Sequence, residues 1–179
     1  MTRIRYLLDT DTVVDVLRAR YGVARRLAEL SPDDMRVSAM TVAELCYGAL
    51  NSLDPARNQA EVNRLLDQIP VIRFGRAAAI QHARIRLALR QQPIGAADMV
   101  IAATALAADA VVITGNMREF TRVPGLRVES WRMGWGGDTR LVEYGSSTPD
   151  DGSTSLRAAN PSHPPMTDQS HVTRDQRRA

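Results

Sequence analysis

Short apolar runs alternate with stretches of helical periodicity through residues 4–131 of this chain. Tyr6-Leu7-Leu8 stops at Asp9, and Val13, Val14, Val16 and Leu17 follow at helical spacing, so a strand over 4–9 hands over to a helix that starts near Thr10 or Asp11. A second helix is predicted over 23–30, broken by Ser31-Pro32-Asp33-Asp34, and residues 35–39 have the length of a strand. Thr41 opens a helix to about Leu50. Asp54-Pro55 is an N-cap and first-turn pair, after which Val62, Leu65, Leu66 and Ile69 recur at helical spacing until Pro70. Residues 71–74 read as a strand and 76–91 as a long helix, with Ala79, Ile80, Ala83, Leu87 and Leu89 on its apolar face. The alanine-rich segment 96–108 suits a helix buried between sheet and neighbours, followed by strands over 110–114 and 128–131. Strands alternating with helices predict an α/β fold: a parallel sheet of four to five strands, reached by right-handed crossovers and covered on both faces.

The pattern lapses near Gly134, where Gly, Ser, Thr, Pro and Asp take over and apolar residues become isolated. Residues 1–133 are therefore expected to form one domain and 134–179 a disordered tail, with His163 and His171 solvated within it rather than binding metal. A domain of this length buries a core without staples. Cys46 is the single cysteine, which excludes a disulfide framework or zinc cluster and suits a reducing compartment, with cytoplasm as the expectation. No signal-peptide apolar region follows Met1, and no run approaches the roughly 20 apolar residues of a membrane span. All 23 basic side chains are arginine. Eighteen of them fall in residues 1–137 against 14 acids, which leaves that part basic. Arginine binds phosphate with two parallel hydrogen bonds and stacks on bases, so this balance is compatible with RNA, although genomic base composition explains an arginine bias equally well.

Chemistry concentrates in three acids. Asp9 and Asp98 end the apolar runs Tyr6-Leu7-Leu8-Asp9 and Ile94-Gly95-Ala96-Ala97-Asp98, and Glu44 sits in Thr41-Val42-Ala43-Glu44-Leu45. Each has an ordinary local explanation. Asp9 or Asp11 suits an N-cap, Glu44 stands at capping-box spacing from Thr41, and Asp98 in a first helical turn gains about 0.3–1 kcal/mol from the macrodipole. Together they say more, because strand tips of a parallel sheet gather at one edge, where ligands bind. Three carboxylates there repel unless a cation lies between them, and hard oxygen ligands suit Mg²⁺ or Mn²⁺. Thr114-Gly115-Asn116 can add a hydroxyl or amide, and Glu119 is placed to reach the same crevice; turn chemistry explains Gly115 and Asn116 as well.

Two families share parts of this pattern. Leu7-Leu8-Asp9-Thr10-Asp11 has the Asp-x-Asp form of haloacid-dehalogenase-like phosphotransferases, and Val112-Ile113-Thr114-Gly115-Asn116 resembles their threonine motif; the lysine they normally use is missing, because the chain has none. More of the chain resembles PIN-domain nucleases of the VapC type. Leu7–Asp11, Thr41–Ala49, Ile94–Ala102 and Val112–Phe120 come in that family's order, and Arg122–Trp131 is similar to the ending of its initiator-tRNA-cleaving subgroup. The resemblance implies a PIN-like three-layer α/β/α sandwich and an Mg²⁺- or Mn²⁺-dependent endoribonuclease toxin. It makes Asp9, Glu44 and Asp98 the metal-binding acids and puts Asn116 where many relatives carry a fourth aspartate. One ion before substrate arrives, or completion by Glu119 and RNA phosphate, then remain open, with Asp11 in an orienting role. It further implies a tRNA substrate cut in the anticodon region, a VapB-like antitoxin and a homodimer. Arg84, Arg86 and Arg118 are candidates for phosphate contact. A non-catalytic PIN-like module that binds RNA or protein is the alternative of a different class.

Overall fold

A computed structural model of the chain describes residues 5–132. The elements run β1 (Tyr6–Leu8), α1 (Thr10–Leu17), α2 (Val23–Ala28), a 3₁₀ turn (Pro32–Asp34), β2 (Met35–Ser38), α3 (Ala39–Leu50), α4 (Pro55–Leu66), β3 (Val71–Ile72), α5 (Arg76–Ala88), α6 (Ala96–Ala108), β4 (Val111–Ile113), α7 (Met117–Phe120) and β5 (Val128–Glu129). The sheet has the order β3-β2-β1-β4-β5 and every pairing is parallel. Tyr6 and Leu8 pair with Met35 and Val37 on one side and with Val111 and Ile113 on the other. The chain thus winds outward from β1 through β2 to β3, then returns to lay β4 on the opposite side of β1. That reversal opens a crevice between the carboxyl ends of β1 and β4.

Side chains alternate across the strands, so the sheet feeds two cores. Leu7, Val112 and Val128 join Ile85, Met99, Ile101, Phe120 and Leu126 on the side of α5 and α6. Tyr6, Leu8, Val37, Val111 and Ile113 join Val13, Val23, Leu45, Val62 and Trp131 on the side of α1 to α4. Burial on both faces explains why the strands read as continuous apolar runs rather than as alternating ones. Trp131 closes the second core edge-on against Tyr6, with ring centroids 5.3 Å apart. The three-layer α/β/α arrangement and the parallel sheet match the expected fold class, at five strands.

Element ends differ from the sequence expectation in informative places. The third helix starts at Ala39, two residues ahead of Thr41, because Ser38 is its N-cap and accepts the Thr41 amide at 2.9 Å. Glu44 is therefore not the partner of a Thr41 capping box. Asp98, by contrast, stands where the sequence put it, in the first turn of the alanine-rich α6, which Gly95 caps just after the buried Ile94. The helix expected to reach 91 ends at Ala88. The domain boundary at 133 and the tail with His163 and His171 lie outside the described residues.

Phe120 has no exposed surface and fills the core beneath α6 and β5. Phe120→Ala is expected to lower stability by about 3–5 kcal/mol, the usual cost of truncating a buried aromatic ring. Urea unfolding followed by circular dichroism reads this directly, and a loss below about 1 kcal/mol would contradict the packing described.

Candidate active site

Backbone junctions between β1 and β4 build the crevice. The carbonyl of Ile113, at the end of β4, accepts the Asp9 amide at 2.9 Å and the Thr12 hydroxyl at 2.8 Å, which staples the two strand tips together. Asp9 then leaves β1 and caps α1 through one carboxylate oxygen, which accepts the Thr10 amide at 2.7 Å. Its other oxygen accepts the Thr114 hydroxyl at 2.7 Å. The Asp9 side chain is thus both a helix cap and a buried carboxylate facing the crevice. The cap reading and the site reading hold at once, each satisfied by a different oxygen.

Around Asp9 the other acids converge in a cleft of about 370 Å³ lined by Asp11, Asp15, Glu44, Asp98 and Asn116, among others. Glu44 reaches it from the second turn of α3 and accepts the Thr10 hydroxyl, a cross-chain bond in place of the expected local one. Asp98 comes from α6 and accepts the Asn116 side-chain amide at 3.2 Å. Asp11 accepts the Gly115 amide at 2.9 and 3.2 Å through its two oxygens. The structure therefore gathers Asp9, Glu44, Asp98 and Asn116, which the sequence had placed on four separate segments. Glu119 does not line the cleft; Arg122 pairs with it at 2.8 Å.

Electrostatics follows from this crowding. Burial pushes the Asp9 carboxyl up to about 7, the charges of Asp11 and Asp98 add to the rise, and the bonds from Thr114 and Thr10 oppose it. Asp98 is raised as well, first by burial and then by the charges of Glu44, Glu119 and Asp11. Every donor turned to the cleft by these acids is a hard oxygen, and Asn116 adds an amide. Among the described residues no three acidic, histidine or cysteine side chains are already drawn together as a metal-holding group. Such an open set fits Mg²⁺, which takes one or two carboxylates, keeps several waters and borrows substrate phosphate, better than it fits zinc.

Sequence reasoning missed the basic side of the site. Arg132 directs its guanidinium into the cleft, where Nε meets Asp15 at 2.6 Å and Nη2 meets Asp11 at 3.0 Å. Asp15 is buried, four residues beyond Asp11 on α1, and that spacing on one helical face was the available signal. Arg20 also lines the cleft. Arg84, Arg86 and Arg118 do not; they are exposed elsewhere on α5 and α7.

A PIN-domain model matches residues 6–126, two thirds of the chain, a span that contains Asp9, Glu44, Asp98 and Asn116. The tRNA(fMet)-specific endonuclease VapC of Salmonella typhimurium is 37% identical over 130 residues, which cover 72% of this chain and 98% of the relative. This chain belongs to the VapC family of PIN-domain ribonucleases. Ribonuclease VapC2 of Haemophilus influenzae is 35% identical over the same shares of both chains. Among solved structures, DNA-bound VapBC from Salmonella typhimurium matches with a TM-score of 0.67 at 35% identity, covering 72% of this chain and 98% of that one. VapBC2 from Rickettsia felis, bound to a promoter DNA fragment, gives the same TM-score at 28% identity. Membership in the VapC family displaces the phosphotransferase reading of Asp9-Thr10-Asp11. PIN-domain nucleases depend in general on divalent metal, in keeping with the oxygen-rich cleft.

The raised Asp9 sets a pH dependence for this VapC-family chain when no divalent ion is bound. From about pH 4, where an ordinary aspartate ionises, to about pH 7, the folded state keeps a proton that the unfolded state has released. The folded state binds more protons across that window, so stability falls as pH rises through it. In EDTA, the urea midpoint is expected to be lower at about pH 8 than at about pH 5, and Asp9→Asn is expected to remove most of the difference. Identical midpoints at both pH values in the unsubstituted chain would exclude a strained Asp9.

Proposed function

We propose that the chain is the toxin of a toxin–antitoxin pair and a Mg²⁺- or Mn²⁺-dependent endoribonuclease that cuts tRNA, with Asp9, Glu44, Asp98 and Asn116 as its site. The observation that carries this reading is the meeting of Asp9, Glu44 and Asp98 in one cleft at the reversal point of the sheet, inside the matched PIN domain. Asp9 and Asp98 are the residues proposed to hold the ion directly, and Glu44 directly or through water. A bound divalent ion supplies Lewis-acid polarisation of a phosphate and acidifies water at neutral pH.

The chain's own residues do the positioning. The Thr114 hydroxyl fixes one oxygen of Asp9, the Thr10 hydroxyl fixes Glu44, and the Asn116 amide fixes Asp98. Hydrolysis adds water across a phosphodiester: a bond forms from water oxygen to phosphorus while the bond to the leaving ribose oxygen breaks. Fixed carboxylates lower the cost of aligning the reacting groups, because no side chain has to be ordered at the moment of reaction.

Substrate and partner rest on the relatives. The Salmonella typhimurium and Shigella flexneri relatives carry the name tRNA(fMet)-specific endonuclease, which supports initiator tRNA as the substrate; a cut in its anticodon region rests on the family resemblance. Single-stranded loops suit such a site because their bases unstack and become readable. Solved neighbours crystallised as VapBC pairs, which supports a VapB-like antitoxin, and the family resemblance supports a homodimer. No helix among the described residues is long and apolar enough to cross a membrane, and we place the reaction in the cytoplasm. Residues 1–133 are read as the nuclease domain.

Cleavage of a total tRNA pool tests the reading. Activity with Mn²⁺ or Mg²⁺ is expected to vanish in EDTA and to fall on the order of 100-fold or more in Asp9→Ala and in Asp98→Ala. Undiminished cleavage in all three cases would refute the metal mechanism, and turnover of a phosphomonoester in place of RNA would restore the phosphotransferase reading.

A further inference from the structure

The turn that leaves α1 is held in an uncommon conformation at the rim of the acidic cleft. Ala19 and Tyr21 have φ of 50° and 53°, and Gly22 follows at 69°. Left-handed backbone is unfavourable for a residue with a Cβ and persists where the surroundings enforce it. Here the Arg20 amide donates to the Asp15 carbonyl at 2.8 Å, and the Arg20 carbonyl accepts the Val23 amide at 3.2 Å, so the turn is pinned on both sides. Its effect is to set Arg20 on the cleft wall and to leave Tyr21 52% exposed, with its ring against Arg132, another residue of that wall.

The two arginines of the cleft are not equivalent. Arg132 is engaged by Asp11 and Asp15, and its guanidinium carbon lies 5.2 Å from the Tyr21 ring centroid, which steadies the ring by a cation–π contact. Arg20 is exposed and makes no side-chain hydrogen bond or ion pair among the described residues. A strand of RNA entering a cleft walled by Asp9, Asp11, Asp15, Glu44 and Asp98 meets repulsion at every phosphate. An uncommitted cation at the rim offsets that repulsion, and the half-exposed Tyr21 ring, with Arg132 on one side, offers its other face to an unpaired base.

We infer that Arg20 and Tyr21 form a nucleotide subsite at the mouth of the cleft, in which Arg20 contacts an RNA backbone phosphate next to the cleaved one and Tyr21 stacks an unpaired base. The inference rests on the endoribonuclease reading and adds to it a place where single-stranded RNA is gripped. Stacking tolerates any base, so this subsite favours unpaired over paired RNA rather than one sequence over another. The ring's neighbour, Arg132, belongs to the fixed framework and not to the grip.

Equilibrium binding of a fluorescent single-stranded RNA oligonucleotide to the full chain tests it, with Asp98→Asn as background to suppress cleavage and cleavage kinetics measured separately without that substitution. Tyr21→Asn removes the ring yet keeps a residue that tolerates the left-handed turn, and is expected to weaken binding about 5- to 100-fold, whereas Tyr21→Phe stays within about twofold of the unsubstituted chain. Arg20→Ala is expected to lower the slope of log affinity against log salt by about 0.7 and Arg20→Lys to restore it. In cleavage, Tyr21→Asn and Arg20→Ala are expected to raise KM with kcat little changed, as loss of uniform binding does. Thermal melts confirm that each variant folds. Variants that bind RNA as the unsubstituted chain does overturn the subsite, as does loss confined to binding of a protein partner such as the antitoxin. RNA binding that depends on Arg20 and Tyr21 in a chain that never cleaves would uphold the subsite and refute the nuclease reading, so the two fail separately.

Discussion

Like charges crowded at the tips of β1 and β4 are the constraint around which this domain is organised. Two unit charges 4 Å apart in a partly buried setting interact by about 4 kcal/mol, while a hydrogen bond to a charged group returns about 1.5–3 kcal/mol. One bond per carboxylate is therefore insufficient, and the structure supplies several. Asp9 takes the Thr10 amide and the Thr114 hydroxyl, Asp11 takes the Gly115 amide and Arg132, and Asp15 takes Arg132 as well. These donors come from the first turn of α1, the loop after β4 and the end of the described chain. The site thus ties the two halves of the sheet together at the point where their order reverses. What remains unbalanced falls on Asp9 and Asp98, whose carboxyls are both raised, and this is the charge that the proposed divalent ion would relieve.

Gly115 shows how closely these parts approach. A Cβ at that position would stand 2.0 Å from the guanidinium carbon of Arg132. A side chain there makes the flexible end of Arg132 shift, and so works against its seat between Asp11 and Asp15. Glycine leaves room for that seat, beside the turn chemistry that also suits it. The same residue offers its amide to Asp11, so a single backbone position serves the acid and admits the base that balances it.

Much of this was legible in the chain, and the failures have identifiable physics. The β1–α1 junction, the alanine-rich α6 and the five parallel strands follow from periodicity and capping, because each is a local signal reinforced by burial on both faces. Asp98 was also placed correctly, in the first turn of a helix whose cap is Gly95. Glu44 misled: Thr41 stands at capping-box spacing, but Ser38 takes the cap three residues earlier and frees Glu44 to cross to Thr10. The arginines were the weakest part. Arg84 and Arg86 stand out as a basic run on one helix, whereas Arg132 meets Asp11 and Asp15 across 121 and 117 positions of chain, a separation that no local pattern reveals.

Asn116 shows the same electrostatic logic from the neutral side. In the family pattern a carboxylate commonly stands there, and in this chain its amide donates to Asp98 at 3.2 Å. A carboxylate at that distance would add repulsion to an acid already raised by burial and by the charges of Glu44, Glu119 and Asp11, and would itself need a cation or a proton. The amide replaces repulsion with a hydrogen bond and lowers the number of positive charges the cleft requires. The acids that remain, with Arg132 holding two of them, call for fewer metal charges than a four-carboxylate cleft does. In the metal-dependent reading proposed above, that lower charge suits an ion that keeps several waters and borrows phosphate from the substrate.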